Sequence, residues 1–334
     1  MLAALLGCGH GKPSSAEYVE EEVTFVADGL TIHGTYRHPA AETPAPAALL
    51  ISESGMTDRN GDNAVAGPVG NMRQLAEYLS GRGVASLRYD KVGTGATGLG
   101  PFAGRPADVG SAVLTSGARA AIRFLAGQSR TDAGRISVYG IGEGTTHAMA
   151  LATDTAAGAP QIHGLGLLQP LTGRYLDLIT ARVERDTAAA VRAGGKTAEQ
   201  ADGVVGAWAA AVAQARTTGT VPKAPLPDGL SAILNPGNVK AVVEADRIDP
   251  VAEAARVPAG THVLLTCSDS DAQAACADLQ PLRAALAHTD LTVVELRGVN
   301  HVLRDDPTDN VANYAKKDPL SPQLISALDT FLTK

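Results

Sequence analysis

The chain has 334 residues, 45% of them apolar and 19% charged, enough to bury a substantial core and too apolar for wholesale disorder. Its net charge of −7 comes without a basic cluster, which argues against a nucleic-acid partner. No uninterrupted apolar run reaches the roughly 18–20 residues of a membrane-spanning helix.

The first residues, MLAALLGCGHG, place Cys8 in a setting similar to a bacterial lipobox. The expectation is an exported protein held at the cell envelope through lipidated Cys8, with residues 1–16 as signal remnant and tether. No Lys or Arg precedes Cys8, as an n-region would require, and without a signal the chain would be cytoplasmic. The two remaining cysteines, Cys267 and Cys276, bracket SDSDAQAA. They read either as a disulfide in an oxidising compartment or as two free thiols.

In chain order, EVTFVA (22–27) and LTIHGTYR (30–37) alternate around Asp28-Gly29, a hairpin signal. PAALLIS (46–52) is a continuous apolar run, as in a strand buried on both faces. Residues 71–81 carry helical spacing, 84–89 form a strand, and 106–126 form a long helix. A strand over 135–141 runs into YGIGEGTTHA and a helix from Gly144, and 163–168 is the next strand. The alternation predicts a mostly parallel sheet covered on both faces. From 172 to 245 there are only helical segments (174–192, 197–216, 238–245), interrupted by VPKAPLPDG, which reads as a helical cap inserted into a core of 17–171 and 246–334. Strand 261–266, helix 278–287, strand 291–296 and a closing amphipathic helix over 320–332 complete the chain.

In such sheets functional groups gather beyond the carboxyl ends of the strands. Those segments are SESGMTDRNGDN, YDKVGTG, GIGEG, CSDSDAQ and RGVNHVLRD, which place an acid after the penultimate strand and a histidine after the last. GIGEG has the glycine spacing of a nucleophile elbow, G-x-S-x-G, but its middle position is Gly142.

Together ISESGMTDRNGDN, LRYDKVGTG, GIGEG, IDPVAEAARVP and GVNH, in order over about 22–334, resemble an α/β-hydrolase of the serine aminopeptidase and esterase type. The resemblance implies an α/β-hydrolase fold: a mostly parallel eight-stranded sheet flanked by helices, with a helical cap. It implies a general base at His301, supported by Asp271 with Asp269 as rival, and a nucleophile position at Gly142. Oxyanion donors would come from the backbone N–H of Glu143 and from Ser54 or Gly55. Arg88, Asp90, Asp58 and Arg59 would knit loops together, and Asn300 would be structural.

Two departures matter. Glycine offers no nucleophile, and Glu53 replaces a family glycine, where an inward-pointing carboxylate would oppose an oxyanion. Thr145, Thr146, Ser52, Ser54 and Ser270 are the hydroxyls near enough to be considered as substitutes. The expected activity is that of a carboxylester hydrolase lineage acting on a small ester or acyl substrate. The alternative is a pseudohydrolase that binds an acyl or peptide-like ligand under the cap, and a third reading is a structural envelope lipoprotein. Serine introduced at 142 is expected to create or restore ester turnover. No cofactor is implied: H-E-x-x-H, CxxC and strand-linked G-x-G-x-x-G patterns are absent from the sequence, and it implies no metal.

Overall fold

The computed structural model describes residues 18–271 and 273–334, so the Cys8 reading lies outside the described residues. Eight strands form one sheet: β1 (Tyr18–Ala27), β2 (Leu30–Pro39), β3 (Ala45–Ile51), β4 (Ala85–Tyr89), β5 (Thr131–Gly142), β6 (Gly164–Pro170), β7 (His262–Ser268) and β8 (Asp290–Leu296). Their order is β1-β2-β4-β3-β5-β6-β7-β8, antiparallel at β1/β2 and β2/β4 and parallel from there on. This is the α/β-hydrolase fold.

The hairpin between β1 and β2 turns on Asp28 and Gly29, both left-handed with φ of 48° and 79°, the backbone a two-residue type I′ turn needs. The central strands are buried on both faces. In β3, Ala47 to Ile51 are all at most 2% exposed, which is why that run does not alternate. Leu49, Ile51, Val138, Leu165 and Val263 meet one helical layer, which includes α2 (Ser111–Ala126) and α3 (Gly144–Ala152). On the other face Leu50, Tyr139, Ile141 and Leu264 pack with α1 (Asn71–Ser80) and the closing α9 (Pro322–Phe331).

Some boundaries move from their sequence-based positions. Strand β1 starts at Tyr18, pairing with Pro39. Strand β5 starts at Thr131, which pairs with Ala45. Pro106–Asp108 is only a 3-10 turn, because Gly110 is extended (φ −123°, ψ −173°) and α2 begins after it. Between β6 and β7 the chain forms α4 (Tyr175–Arg192), α5 (Ala198–Thr218), α6 (Val239–Asp246) and the short α7 (Pro250–Ala254), while α8 (Gln280–Ala285) links β7 to β8.

The helices α4 to α6 share their own apolar cluster around fully buried Trp208, whose indole N–H donates to Thr180 Oγ1 at 2.9 Å. Asp246, 1% exposed, ties them together. It accepts from the Leu176 amide at 2.9 Å, from Arg174 at 3.1 Å and from Arg216 at 2.8 and 2.9 Å.

Candidate active site

The turn from β5 into α3 is dictated by close approach. A Cβ at Gly140 would lie 2.4 Å from the carbonyl carbon of Gly144, and one at Gly144 would lie 2.5 Å from the Ile51 carbonyl oxygen. Only hydrogen fits at either position, so the helix can start directly against β3 and β5. Gly142, at the apex, has φ +53°. That left-handed backbone is the strained conformation of an elbow.

A carboxylate occupies the space above Gly142. A Cβ at 142 would lie 1.9 Å from Oε2 of Glu53 and 2.4 Å from its Oε1. Glu53 lies two residues beyond the end of β3, and its chain is held there by Lys91, whose ammonium donates to the Glu53 backbone carbonyl. Oε2 receives His301 Nε2 at 2.6 Å. Oε1 receives the Ser54 amide at 2.6 Å and faces the Glu143 amide at 3.4 Å. One carboxylate therefore spans both the nucleophile position and the donors expected to form an oxyanion hole.

On its other side, His301 Nδ1 lies 2.8 Å from Asp271 Oδ2. Asp271 is fixed in turn by the Gln273 and Ala274 amides, at 2.7 and 3.0 Å on Oδ1. Its rival Asp269 faces away and accepts from the Gly298 amide at 2.8 Å and the Ser270 hydroxyl at 3.0 Å. The backbone of His301 is anchored by its own amide donating to Asp309 at 2.9 Å. The resulting array, Glu53–His301–Asp271, is an imidazole between two carboxylates.

Electrostatics follow from that array. Burial works against a charged His301, but the flanking Asp271 and Glu53 carboxylates raise its pKa well above the ordinary value. Burial likewise opposes ionisation of Glu53. The His301 charge, its hydrogen bond and those from Ser54 overcome it and hold Glu53 down to about 2. The Glu53–His301 contact therefore favours the carboxylate–imidazolium form. An imidazolium is not a general base. Burial raises Glu143, a shift the nearby Lys91 charge opposes and the Glu53 charge reinforces.

The other sequence candidates are committed elsewhere. Thr145 and Thr146 donate their hydroxyls to the Gly142 and Glu143 carbonyls at 2.6 and 2.8 Å, inside the first turn of α3. Ser52 donates to the Thr57 carbonyl at 3.0 Å. Gly55, at φ +66°, has nothing within 4 Å of where its Cβ would be and shapes the loop. Arg59 pairs with Asp90 at 2.9 Å and with Glu22 at 2.6 Å, Arg88 donates to Asn60 at 2.6 Å, and Asp58 caps the Asn60 and Asp62 amides at 2.8 and 3.0 Å. Asn300 Oδ1 accepts the Arg304 amide at 3.0 Å.

Two cavities open on the array. One, of about 350 Å³, is lined by Glu53, Ser54, Gln273 and His301 and by Tyr175, Ile179 and Arg182 of α4. The second, of about 450 Å³, runs past Met56, Val65, Val302 and Tyr314 and shares Glu53 and His301. Sequence patterns did not single out Lys91, Tyr175 or Arg182, although the lysine lies within LRYDK. Among the described residues no group of three or more His, Cys, Asp or Glu side chains is arranged to hold a metal ion. Cys267 and Cys276 are joined in a disulfide whose loop contains Asp271.

No protein-family model matches the chain, and no curated protein sequence matches it. Solved structures do. The Pyrococcus furiosus esterase Pf2001 aligns with a TM-score of 0.57 at 14% identity, over 100% of this chain and 97% of that one. A variant of the esterase rPPE aligns with a TM-score of 0.52 at 16% identity, over 96% and 83%. The α/β-hydrolase GrgF from Penicillium sp. sh18 aligns with a TM-score of 0.52 at 16% identity, over 85% and 91%. At these identities the likeness is one of fold.

Proposed function

We propose that this protein derives from the carboxylester hydrolase lineage and that its site no longer works through a serine acyl-enzyme. The observation that carries this reading is the Glu53 carboxylate, whose Oε2 stands 1.9 Å from where a side chain at 142 would begin. Glycine at the apex and a carboxylate over it are one coupled change, since neither a serine nor a substrate acyl oxygen fits while Glu53 stays. The site keeps a histidine paired to Asp271, amide donors and a ligand-sized cavity, so the reading is a ligand-engaging site rather than a structural relic.

The test is ester turnover together with fluorophosphonate labelling of the unaltered chain, Gly142→Ser, and Gly142→Ser combined with Glu53→Gly. The unaltered chain is expected to stay silent, and so, contrary to the expectation from the sequence alone, is the single variant, because Glu53 stands 1.9 Å from where the introduced side chain would begin; the double variant should label at Ser and turn over short esters. Labelling or rapid ester turnover in the unaltered chain would overturn the reading.

A second reading, a pseudohydrolase that holds an acyl or peptide-like ligand without turning it over, draws support from the same contact. That contact favours a charged His301, and the cavity of about 350 Å³ is faced by both apolar Ile179 and cationic Arg182, which suits an amphipathic acid. As to place, the proposal is an exported protein attached to the cell envelope through lipidated Cys8. The Cys267–Cys276 disulfide supports an oxidising compartment.

A further inference from the structure

We propose that a third cavity, at the end of the sheet opposite the elbow, is a binding site for a small apolar monocarboxylate, taken up together with one proton. Its lining shares no residue with the Glu53–His301–Asp271 array, and the site does not depend on how that array works.

The cavity holds about 300 Å³, the lower end of the range for small-molecule sites. It lies over the amino ends of the parallel strands, between the segments that follow α1 and α9. Ser137, Gly164 and His262 stand abreast on β5, β6 and β7 as one rung of the sheet, and all three line it. Glycine at 164 lets the Phe331 ring come down on that rung. A Cβ there would lie 2.9 Å from Phe331 Cζ and 3.1 Å from Ser137 Oγ. Phe331, with Val84 and Leu332, supplies the apolar part of the lining and meets the Tyr139 ring edge-on at 6.0 Å.

The polar part is cationic. Arg82, Arg135 and Lys334 line the cavity together with His163 and His262, and among the described residues no Asp or Glu does. The balancing carboxylates stand outside the lining. Asp329 pairs with Arg82 at 2.6 Å, Asp132 with Arg135 at 2.6 Å and Asp290 with Lys334 at 2.8 Å. Those six side-chain charges cancel, which leaves the two imidazoles to vary. His262 Nδ1 lies 2.7 Å from Asp290, and its ring centre is 5.2 Å from that of His163. Neither nitrogen of the His163 ring, nor His262 Nε2, nor the Ser137 hydroxyl has a hydrogen-bond partner among the described residues. Burial, helped by the His262 and Arg135 charges, lowers the His163 pKa against the opposing Asp132 charge, so this ring is neutral at pH 7.

Charge then selects the ligand. One proton on the imidazole pair matches one bound carboxylate, whose oxygens supply the acceptors that Ser137 and the imidazoles lack. A dianion would need both rings charged 5.2 Å apart, where each disfavours the other. A wholly apolar ligand would cover those polar groups and leave them unpaired. The apolar body of the acid packs against Phe331.

The experiment is titration of the full chain with benzoate at several pH values, read by calorimetry and by nitrogen NMR of the histidine rings. Benzoate is expected to shift the His163 and His262 signals. Its affinity should fall as pH rises above about 6.5, by up to about tenfold per pH unit, because the accompanying proton becomes scarcer. Calorimetry in two buffers of different ionisation heat should show about one proton taken up. Benzamide, the uncharged isostere, and phenyl phosphate, a dianion at pH 8, should each bind at least about tenfold more weakly. The variant His163→Gln/His262→Gln should lose both the pH dependence and the preference for benzoate over benzamide, with its fold checked by circular dichroism. A chain that binds no benzoate would overturn the proposal, as would an affinity independent of pH or a tighter hold on phenyl phosphate. Movement of the His301 signal while His163 and His262 stay still would overturn it too, by placing benzoate at the elbow.

Discussion

Glu53 Oε2 lies 2.6 Å from His301 Nε2 and 1.9 Å from where a Cβ on Gly142 would sit. The glycine and the carboxylate therefore share one volume, and their substitutions should be coupled. Gly142→Ala meets both the left-handed backbone (φ +53°) and the carboxylate, and is expected to destabilise the fold by about 1–3 kcal/mol. In a Glu53→Gly background the steric part disappears and the cost should fall toward the backbone part alone. A double-mutant cycle by urea denaturation measures the difference, and additive costs would contradict the shared volume.

The charge state of the array sets a pH signature. Glu53 is depressed to about 2, so its contribution to stability is present above the unfolded carboxylate value, about 4.3, and is lost as pH falls toward 2. His301 is raised, so its contribution is fully present below about 6.5 and is lost as pH rises through its elevated folded value. The array should stabilise the chain most between about pH 5 and 6.5, with losses on both sides. Glu53→Gln removes the acid-side contribution and one of the two charges that raise His301. Nitrogen NMR of the His301 ring should show an imidazolium through neutral pH in the unaltered chain and titration at lower pH in the variant. A ring already neutral at pH 7 in the unaltered chain would refute the charge assignment.

Much of this is legible in the sequence. The buried strands announced themselves as unbroken apolar runs, and GIGEG, SDSD and GVNH marked the strand ends that meet. Glu53 was visible as a departure from the family glycine, but where its carboxylate points is a tertiary fact. It depends on Lys91 holding the Glu53 carbonyl and on the elbow glycines bringing α3 against β3, contacts that no local periodicity encodes. The choice of Asp271 over Asp269 is of the same kind: two acids two residues apart diverge because one is turned inward by the amides of 273 and 274. The early start of β5 at Thr131 escaped the pattern because a polar, Gly-containing stretch is recruited only by pairing with Ala45.

Asp246 gives a third prediction. Its carboxylate is buried and satisfied by the Leu176 amide, Arg174 and Arg216, so Asp246→Ala leaves the arginines without their shared partner and the amide without an acceptor. The arginines are partly exposed and can turn to water, so the cost is set mainly by the stranded amide and the lost charge-assisted hydrogen bonds, about 1–3 kcal/mol. Because α4 to α6 have their own apolar cluster, the loss should appear first as faster amide exchange across residues 175–246, before the sheet opens. Uniform exchange across sheet and helices would contradict a separate cooperative unit.

The fourth prediction concerns the link between Cys267–Cys276 and the acid of the array. The disulfide closes the short loop that carries Asp271 between the end of β7 and the turn before α8, with Cys267 fully buried in the core. Reduction should lower stability by about 2–3 kcal/mol, as closing a short loop typically contributes. It should also act locally. Asp271 is positioned by the amides of Gln273 and Ala274, inside the same loop, and freeing the loop weakens its hold on His301 Nδ1. With that charge less firmly placed, the His301 ring should titrate at lower pH in Cys267→Ala/Cys276→Ala than in the oxidised chain, while the Glu53 contact persists. NMR of the ring before and after reduction reads this directly, and an unchanged titration alongside a lowered melting temperature would show that the disulfide stabilises the fold without positioning Asp271.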